Sequence, residues 1–568
     1  MDQTLTRAGD TAIDAAAAPA AQLPGASRPL YLLWGALLGA LLFARHPDSL
    51  LHPQFWAEDG TLFFQGAFNE GFWRTLLQPA AGYLHTLPRL AAGISLLFPL
   101  EQAPLVFNLV AFSVQLAPAL YLLSPRMDAI IPALAARALA ALLLVALPAS
   151  SETHVNMTNA HWHLALLAVF ILVAAPAAGR GVRALETGAL ILFALTGPFS
   201  LLCVPIVAPR LIGLFQGAAR GRREHLALIV AAGALIQAAC ALTSARLGGA
   251  APAGALTPAA LASVVSMHTF FNAIFGINGV SGFYPSLPPA AYRFGLAAIC
   301  FLFAVVIRDR VRPLLVLGYL AALSIALSFA FPLNDPRLWL HPLAGPRYFF
   351  FAIVFIYGSL LHLALKGGSL RVLGVALLAL GVAAGVRADF FHPRQPDIRW
   401  PDNVAVFRSL PAGVDFSIPV TPLFFSSMVL HKSAAERGPS PLTRLQPIPA
   451  TTPAEFAIAR PERVLLTRMV NDRFLSVSGW AIDGAARTAA GGVFIRIDEK
   501  LFPAAYGLRG RIEVDGRSYA DCGFTRLIPV AEIGPGAHRI SLIALTGDGT
   551  GAFQPTPPRR FATSDFFP

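Results

Sequence analysis

Apolar runs of near-bilayer length, separated by short arginine-bearing loops, leave this chain few folds to choose from. The runs fall at 30–44, 104–123, 129–148, 162–178, 184–195, 200–215, 226–242, 292–307, 313–331, 348–365 and 370–386, against ~20 residues for a spanning helix. Hydrophobic residues make up 55% of the 568 positions and charged residues 13%, too apolar a balance for a soluble protein. The formal charge of +12 resides in arginines clustered in short loops, the pattern of topology signals rather than of a nucleic-acid surface. Nucleic acid is therefore excluded as a partner.

One further apolar stretch, Leu87–Leu100, is short and flanked by Arg89 and Glu101. If it does not cross, the basic loops 124–128, 179–183, 217–225, 308–312 and 366–371 all share one side. If it crosses, they all move outside, against the positive-inside rule. The stretch is thus predicted to lie at the outer membrane surface. Eleven spans follow, with a cytoplasmic N-terminus and an extracytoplasmic C-terminal tail. The fold class is a polytopic α-helical membrane protein with a C-terminal β-sandwich.

The predicted organisation is a disordered cytoplasmic segment at 1–28, a transmembrane domain at 29–386, an extracytoplasmic connecting segment at 387–463 and a β-sandwich at 464–568. The last rests on period-two patterning in FLSVSGWAID, GGVFIRID and HRISLIAL between turn residues. Trp480 in SGWAID is expected in the sandwich core, with stacking on a sugar ring as the alternative. Cys522 alone of the four cysteines lies in the tail, so no disulfide forms within it.

The unusual chemistry gathers in the predicted extracytoplasmic loops. Directly after the first span, WAEDG places Glu58 and Asp59 together. A partly desolvated carboxylate there can take a proton from an acceptor hydroxyl; a helix N-cap by Asp59 is the structural alternative. Asp59 is the preferred base, because its shorter side chain is held more rigidly. Arg74, Arg89, Arg246, Arg293, Arg337 and Arg347 stand on the wrong side for topology, and guanidinium forks match phosphate oxygens. Asp335, beside Arg337, is a second acid. The second loop, SETHVNMTNAHWH, offers His154, Asn156, Asn159, His161 and Trp162 as the lining of a sugar or acceptor pocket. Its histidines point in different directions, so no metal site is assigned, although a divalent cation stays open. In the third loop, FFNAIFGINGVSGFYPSLPP is expected to be either a mobile cover or a segment packed under the β domain.

An acidic pair after the first helix, a membrane-lying helix before the second and an Arg347-Tyr348 pair opening a late helix together resemble the GT-C superfamily of polytopic glycosyltransferases. The resemblance covers roughly residues 30–386. It implies inverting transfer of a sugar from a polyprenyl-phosphate donor to an extracytoplasmic glycan, lipid or protein, in the bacterial inner membrane. It also implies that Asp59 or Glu58 is the base and that Arg347, with Tyr348, Arg89 and Arg337, meets the donor phosphate. No cofactor is required by this chemistry. The competing readings are a flippase for lipid-linked saccharide and a scaffold with a glycan-binding tail. Against the flippase, the charges gather at one membrane face and no repeated halves are visible.

Overall fold

The computed structural model describes residues 28–216, 221–244, 257–330, 339–423, 427–433, 438–439, 441–448, 454–459, 474–547 and 552–566. Among these the chain forms a helical domain followed by a β domain, and their buried side chains make one continuous core. The expected polar segment at 1–28 lies almost wholly outside the described residues, as do Asp335, Arg337 and Arg246.

The helices are α1 Arg28–Arg45, α2 Thr86–Ser95, α3 Ala103–Leu122, α4 Leu134–Val145, α5 Ala160–Val173, α6 Arg180–Ala194, α7 Phe199–Phe215, α8 Arg222–Thr243, α9 Pro258–Ser266, α10 Asn272–Phe283, α11 Pro289–Arg308, α12 Arg312–Ala330, α13 Phe350–Leu365 and α14 Ser369–Leu380. A π-helical turn joins α9 to α10, and a second carries α14 on to Asp389. Of the eleven expected spans, six coincide with helices long and apolar enough to cross a bilayer, four with shorter apolar helices, and one with the 15-residue α6.

Two expectations change. The predicted surface helix is a ten-residue α2, ~15 Å long and so far too short to span. Its first half is buried, including Arg89, whereas Ile94, Leu97 and Phe98 beyond or near its end are exposed. Together with exposed Trp73 and Leu77, they form an apolar rim suited to an interface. The third loop is neither a cover nor a segment under the β domain. Most of it is the largely buried helical segment α9–α10. The glycines that suggested a loop serve packing and one break: Gly276 takes φ +72, and the freed amides of Ile277 and Asn278 donate to the Asp389 carboxylate at 2.7 and 3.0 Å. A Cβ at Gly276 would stand 2.8 Å from that carboxylate, so the close approach requires glycine.

The chain path sorts the loops onto two ends. Ser244, ending α8, lies beside Gly82, and Leu84 N–H donates to Gln237 on α8 at 2.8 Å. From Pro289, α11 runs away to Arg308, where Asp309 meets Lys366 at the end of α13. The α9–α10 segment therefore enters and leaves on the same side as the first loop. That end also holds the tail. Trp56 bridges Thr421, Trp400 Nε1 donates to Leu100 O at 3.1 Å, and Arg408 pairs with Glu101. The basic loops 124–128, 217–225, 308–312 and 366–371 gather at the far end, insofar as they are described.

The β domain has two main antiparallel sheets. One runs in spatial order Ala454–Ala459, Phe474–Asp483, Gly523–Pro529, Ala505–Leu508. The other centres on Ala537–Leu545 paired with Gly492–Ile497. Strand Ala454–Ala459 joins its sheet from before the expected boundary at 464. Trp480 corrects another expectation: Leu475, Val477 and Ala481 alternate into the core, while Ser476, Ser478 and Trp480 are half-buried on the other face.

Candidate functional site

The site end is organised by the loop 150–159, which sequence reading treated as pocket lining. Asp59 opens the π-helical turn Asp59–Phe64 and is completely buried. Its oxygens accept from Met157 N at 3.0 Å, Thr158 N at 2.6 Å and Thr158 Oγ1 at 2.7 Å. Burial pushes its carboxyl up to about 7, against the opposing pull of those three donors. The expected N-cap role is absent, since no side-chain cap bond forms at this turn. Asp59 is rigid, as expected, but all of that rigidity comes from contacts that occupy its lone pairs.

Glu58 differs in each respect. It is half-buried, and among the described residues it has no hydrogen-bond or ion-pair partner. Electrostatically it faces both Asp59 and Arg347. The preceding Ala57 takes φ +43, a strained conformation for a residue with a Cβ. Its amide is fixed by Thr421 O at 2.6 Å, so the tail holds the turn that presents the acid pair.

Arg347 sits in the short turn Pro346–Phe349 that leads into α13. Its side chain pairs with Glu152, and its backbone N–H donates to Glu152 Oε2 at 3.0 Å. The guanidinium also lies 4.9 Å from the Tyr348 ring centroid. Tyr348 in turn meets Trp162 edge-on at 6.0 Å. Trp162 is buried with its Nε1 unpartnered, and His161, packed on Phe199 at 5.5 Å, leaves its Nδ1 unpartnered. Arg347, Tyr348, Trp162 and His161 thus adjoin one another.

Other expected residues are placed differently. Asn156 and Asn159 are buried and brace the loop itself: Asn156 Oδ1 accepts Asn159 N at 2.9 Å, and both side-chain amides donate to Glu152 O at 2.8 Å. His154 turns to Gln115, His46 and His392. Arg89 is 2% exposed and lies over the Phe63 ring at 5.5 Å, with Nη1 donating to Leu62 O at 3.3 Å. Burial holds it below its ordinary value, and among the described residues no carboxylate is in ion-pair contact with it. His85 on the same side is pushed down to about 3 by burial and is neutral.

Thr158 is a contributor that sequence reading did not single out, and Glu152, grouped there with the polar residues of the second loop and weighed as a metal ligand, was not paired with Arg347. No local signal marks them, because their partners lie 99 and 195 residues away. Among the described residues, no group of three His, Cys, Asp or Glu side chains is arranged to hold a metal ion.

No protein-family model matches the chain, and no curated protein matches it. Among solved structures, the chain is similar to the crystal structure of the Archaeoglobus fulgidus oligosaccharyltransferase complex with Zn and sulfate, at 13% identity and a TM-score of 0.35. That alignment covers 74% of this chain and 60% of the other, so the chain matches less than two thirds of that protein's length.

Proposed function

We propose that the protein is a GT-C-type membrane glycosyltransferase that moves a sugar from a polyprenyl phosphate to an extracytoplasmic acceptor, with inversion at the anomeric carbon. One observation carries the reading: the loop 150–159 grips the acid pair through Thr158 and the arginine through Glu152. A proton acceptor and a phosphate-sized cation are thereby fixed relative to each other on one rigid element, as a single displacement requires.

Glu58 is the group that takes the acceptor proton. Its support is its partial exposure and its lack of a partner, whereas Asp59 is sealed behind three donors. Asp59 is then a positioning residue that locks the turn. As the acceptor oxygen bonds to the anomeric carbon, its proton passes to Glu58 and the bond from that carbon to the departing phosphate breaks. Arg347 neutralises the negative charge that collects on the leaving phosphate, exchanging Glu152 for a phosphate oxygen. Trp162 and Tyr348 supply aromatic faces for the sugar. The acceptor is a glycan, lipid or protein facing the outside of a bacterial inner membrane, with the N-terminus cytoplasmic and the β domain extracytoplasmic.

The test is transfer from a polyprenyl-phosphate sugar by purified protein in lipid. Glu58→Gln keeps shape and should lower transfer by ~10² or more, the scale of general-base contributions, with thermal stability unchanged. Near wild-type transfer by Glu58→Gln, with loss in Asp59→Asn, would reverse the two roles. Retained transfer in both variants would end the catalytic reading of this loop.

A further inference from the structure

Three histidines from distant parts of the chain meet at the site end without serving the acid pair or the arginine. His46 follows α1, His154 belongs to the loop 150–159, and His392 opens the tail. The His154 and His392 ring centroids are 4.5 Å apart, and each lies 6.2 Å from that of His46. All three Nε2 atoms are buried and have no hydrogen-bond partner among the described residues.

The tautomer of His154 follows from its neighbours. Gln115 Oε1 accepts the Val155 amide at 2.8 Å, which fixes the orientation of the Gln115 side chain. Its Nε2 therefore donates to His154 Nδ1 at 3.3 Å, and neutral His154 must carry its proton on Nε2. That N–H is buried with no acceptor among the described residues, and the Nε2 atoms of His46 and His392 beside it are likewise without a partner. The same tautomer turns no lone pair toward a metal.

We propose that His46, His154 and His392 form a proton-binding site that releases the loop 150–159 when the site end is acidified. The charged and titratable groups that face the cluster are Arg45 at the end of α1, Asp48 just beyond His46, and His163 on α5. Asp48 is engaged by Arg394 at 3.0 Å. Asp389, the acid facing Arg45, has its carboxylate taken by the amides of Ala149, Ile277 and Asn278. Neither acid is free to neutralise an added proton. Arg45 itself is locked, donating to Val145 O at 2.6 Å and Leu147 O at 3.0 Å.

Burial holds all three imidazoles below their ordinary range, with Arg45 adding to the effect on His154 and His392. They are neutral in the closed form, and an opened form accepts the proton more readily. Closure is thus fully favoured above the ordinary imidazole value of ~6.5 and weakens as pH falls below it. Relief comes by moving His154 outward. Val155, the next residue, is already strained at φ +44, and two and three residues on are Met157 and Thr158, the donors that hold Asp59. The consequence for Asp59 rests on the preceding reading of the site; the proton site does not.

Hydrogen exchange on the full-length protein in lipid nanodiscs tests this without donor, acceptor or turnover, so its outcome is independent of whether the protein transfers sugar. Peptides covering 150–159 are compared at about pH 7.5 and about pH 5.5, with rates corrected for intrinsic exchange. Protection should fall by about tenfold at the lower pH, the effect of one proton that binds the opened form at the ordinary imidazole value and the closed form only well below pH ~5.5. His392→Gln should remove most of that fall, and His46→Gln serves as a second variant if the first does not fold. Equal corrected protection of the wild type at both pH values would overturn the proposal, as would an unchanged fall in either folded variant.

Discussion

At the end of the helical domain away from the tail, Glu186 is buried between Arg126 and Arg222 and accepts the Tyr121 hydroxyl at 2.8 Å, Asp128 meets Arg137, and Asp309 holds Lys366 and His362. Each of these acids has an opposite charge in contact. At the other end, among the described residues, Arg89 is buried with no carboxylate in ion-pair contact, Glu58 has no hydrogen-bond or ion-pair partner, and His46, His85, His154, His161, Trp162 and His392 each keep a buried nitrogen unbonded. Such groups cost about 1–3 kcal/mol each when left unsatisfied. At the far end the buried atoms without a hydrogen bond, such as Arg137 Nε and Arg222 Nε, belong to side chains already held in ion pairs, whereas at the site end whole groups stand unpaired, as the binding of polar ligand atoms needs. The comparison separates stapling from chemistry, and each of the following changes tests that separation.

The largest effect on stability belongs to the satisfied end. Glu186→Gln leaves the half-buried Arg126 and Arg222 against a neutral amide, a loss of about 3 kcal/mol, the low end for a broken buried pair because the arginines keep some solvent. Thermal unfolding in detergent should show a large fall in midpoint. Transfer per folded molecule should be unchanged, because Glu186 belongs to the opposite end from Glu58 and Arg347. A selective loss of transfer with normal stability would join the two ends functionally and break the comparison.

Thr158→Val is the corresponding change at the site end and should be smaller. It deletes one donor to a buried carboxylate and keeps the backbone N–H, for a cost of about 1.5–3 kcal/mol. Because Asp59 and Glu58 are adjacent, loosening the turn should also reduce transfer, with donor binding retained through Arg347. Lowered stability with full transfer would make Thr158 a staple like those of the far end.

How much of this was legible depends on whether the physical demand is local. A bilayer requires an apolar run within one segment, so the spans could be read directly, and WAEDG stood out because two acids bordered such a run. Long-range pairing leaves no local mark. Thr158 is one residue of a polar loop until Asp59 reaches it, and His392 means nothing until the tail folds back on His154. Val155 was hidden for another reason: a β-branched residue gives no warning that it adopts a positive φ. Glycine misled in the opposite direction. In α9–α10 it suggested a loop, yet Gly276 serves a single break whose freed amides are satisfied by Asp389. Trp480 followed the strand period, but which face of the sheet is inward depends on the partner sheet.

The effect that is smallest per step, roughly 1 kcal/mol for each pH unit, is also the one whose sign differs between the two ends. Burial pushes Asp59 up to about 7 from an ordinary 3.8, so the folded state binds its proton more tightly than the unfolded state. Its contribution to stability is therefore largest in acid and declines as pH rises toward about 7, by roughly 1 kcal/mol per unit across that window. Asp309 behaves in reverse. Lys366 and His362 hold it below 3.8, so its contribution is present at neutral pH and is lost only in stronger acid. Unfolding midpoints of the wild type and of Asp59→Asn, followed from about pH 4 to about pH 8, should diverge progressively, the wild type losing ground as pH rises. The Asp309→Asn curve should run parallel to the wild type over the same range and approach it only below about pH 4. Subtracting each variant from the wild type isolates the one carboxyl from every histidine that titrates in the same interval. Parallel curves for the wild type and Asp59→Asn would mean that Asp59 ionises as an ordinary exposed acid, and the contrast between a sealed carboxyl at one end and a paired one at the other would fail.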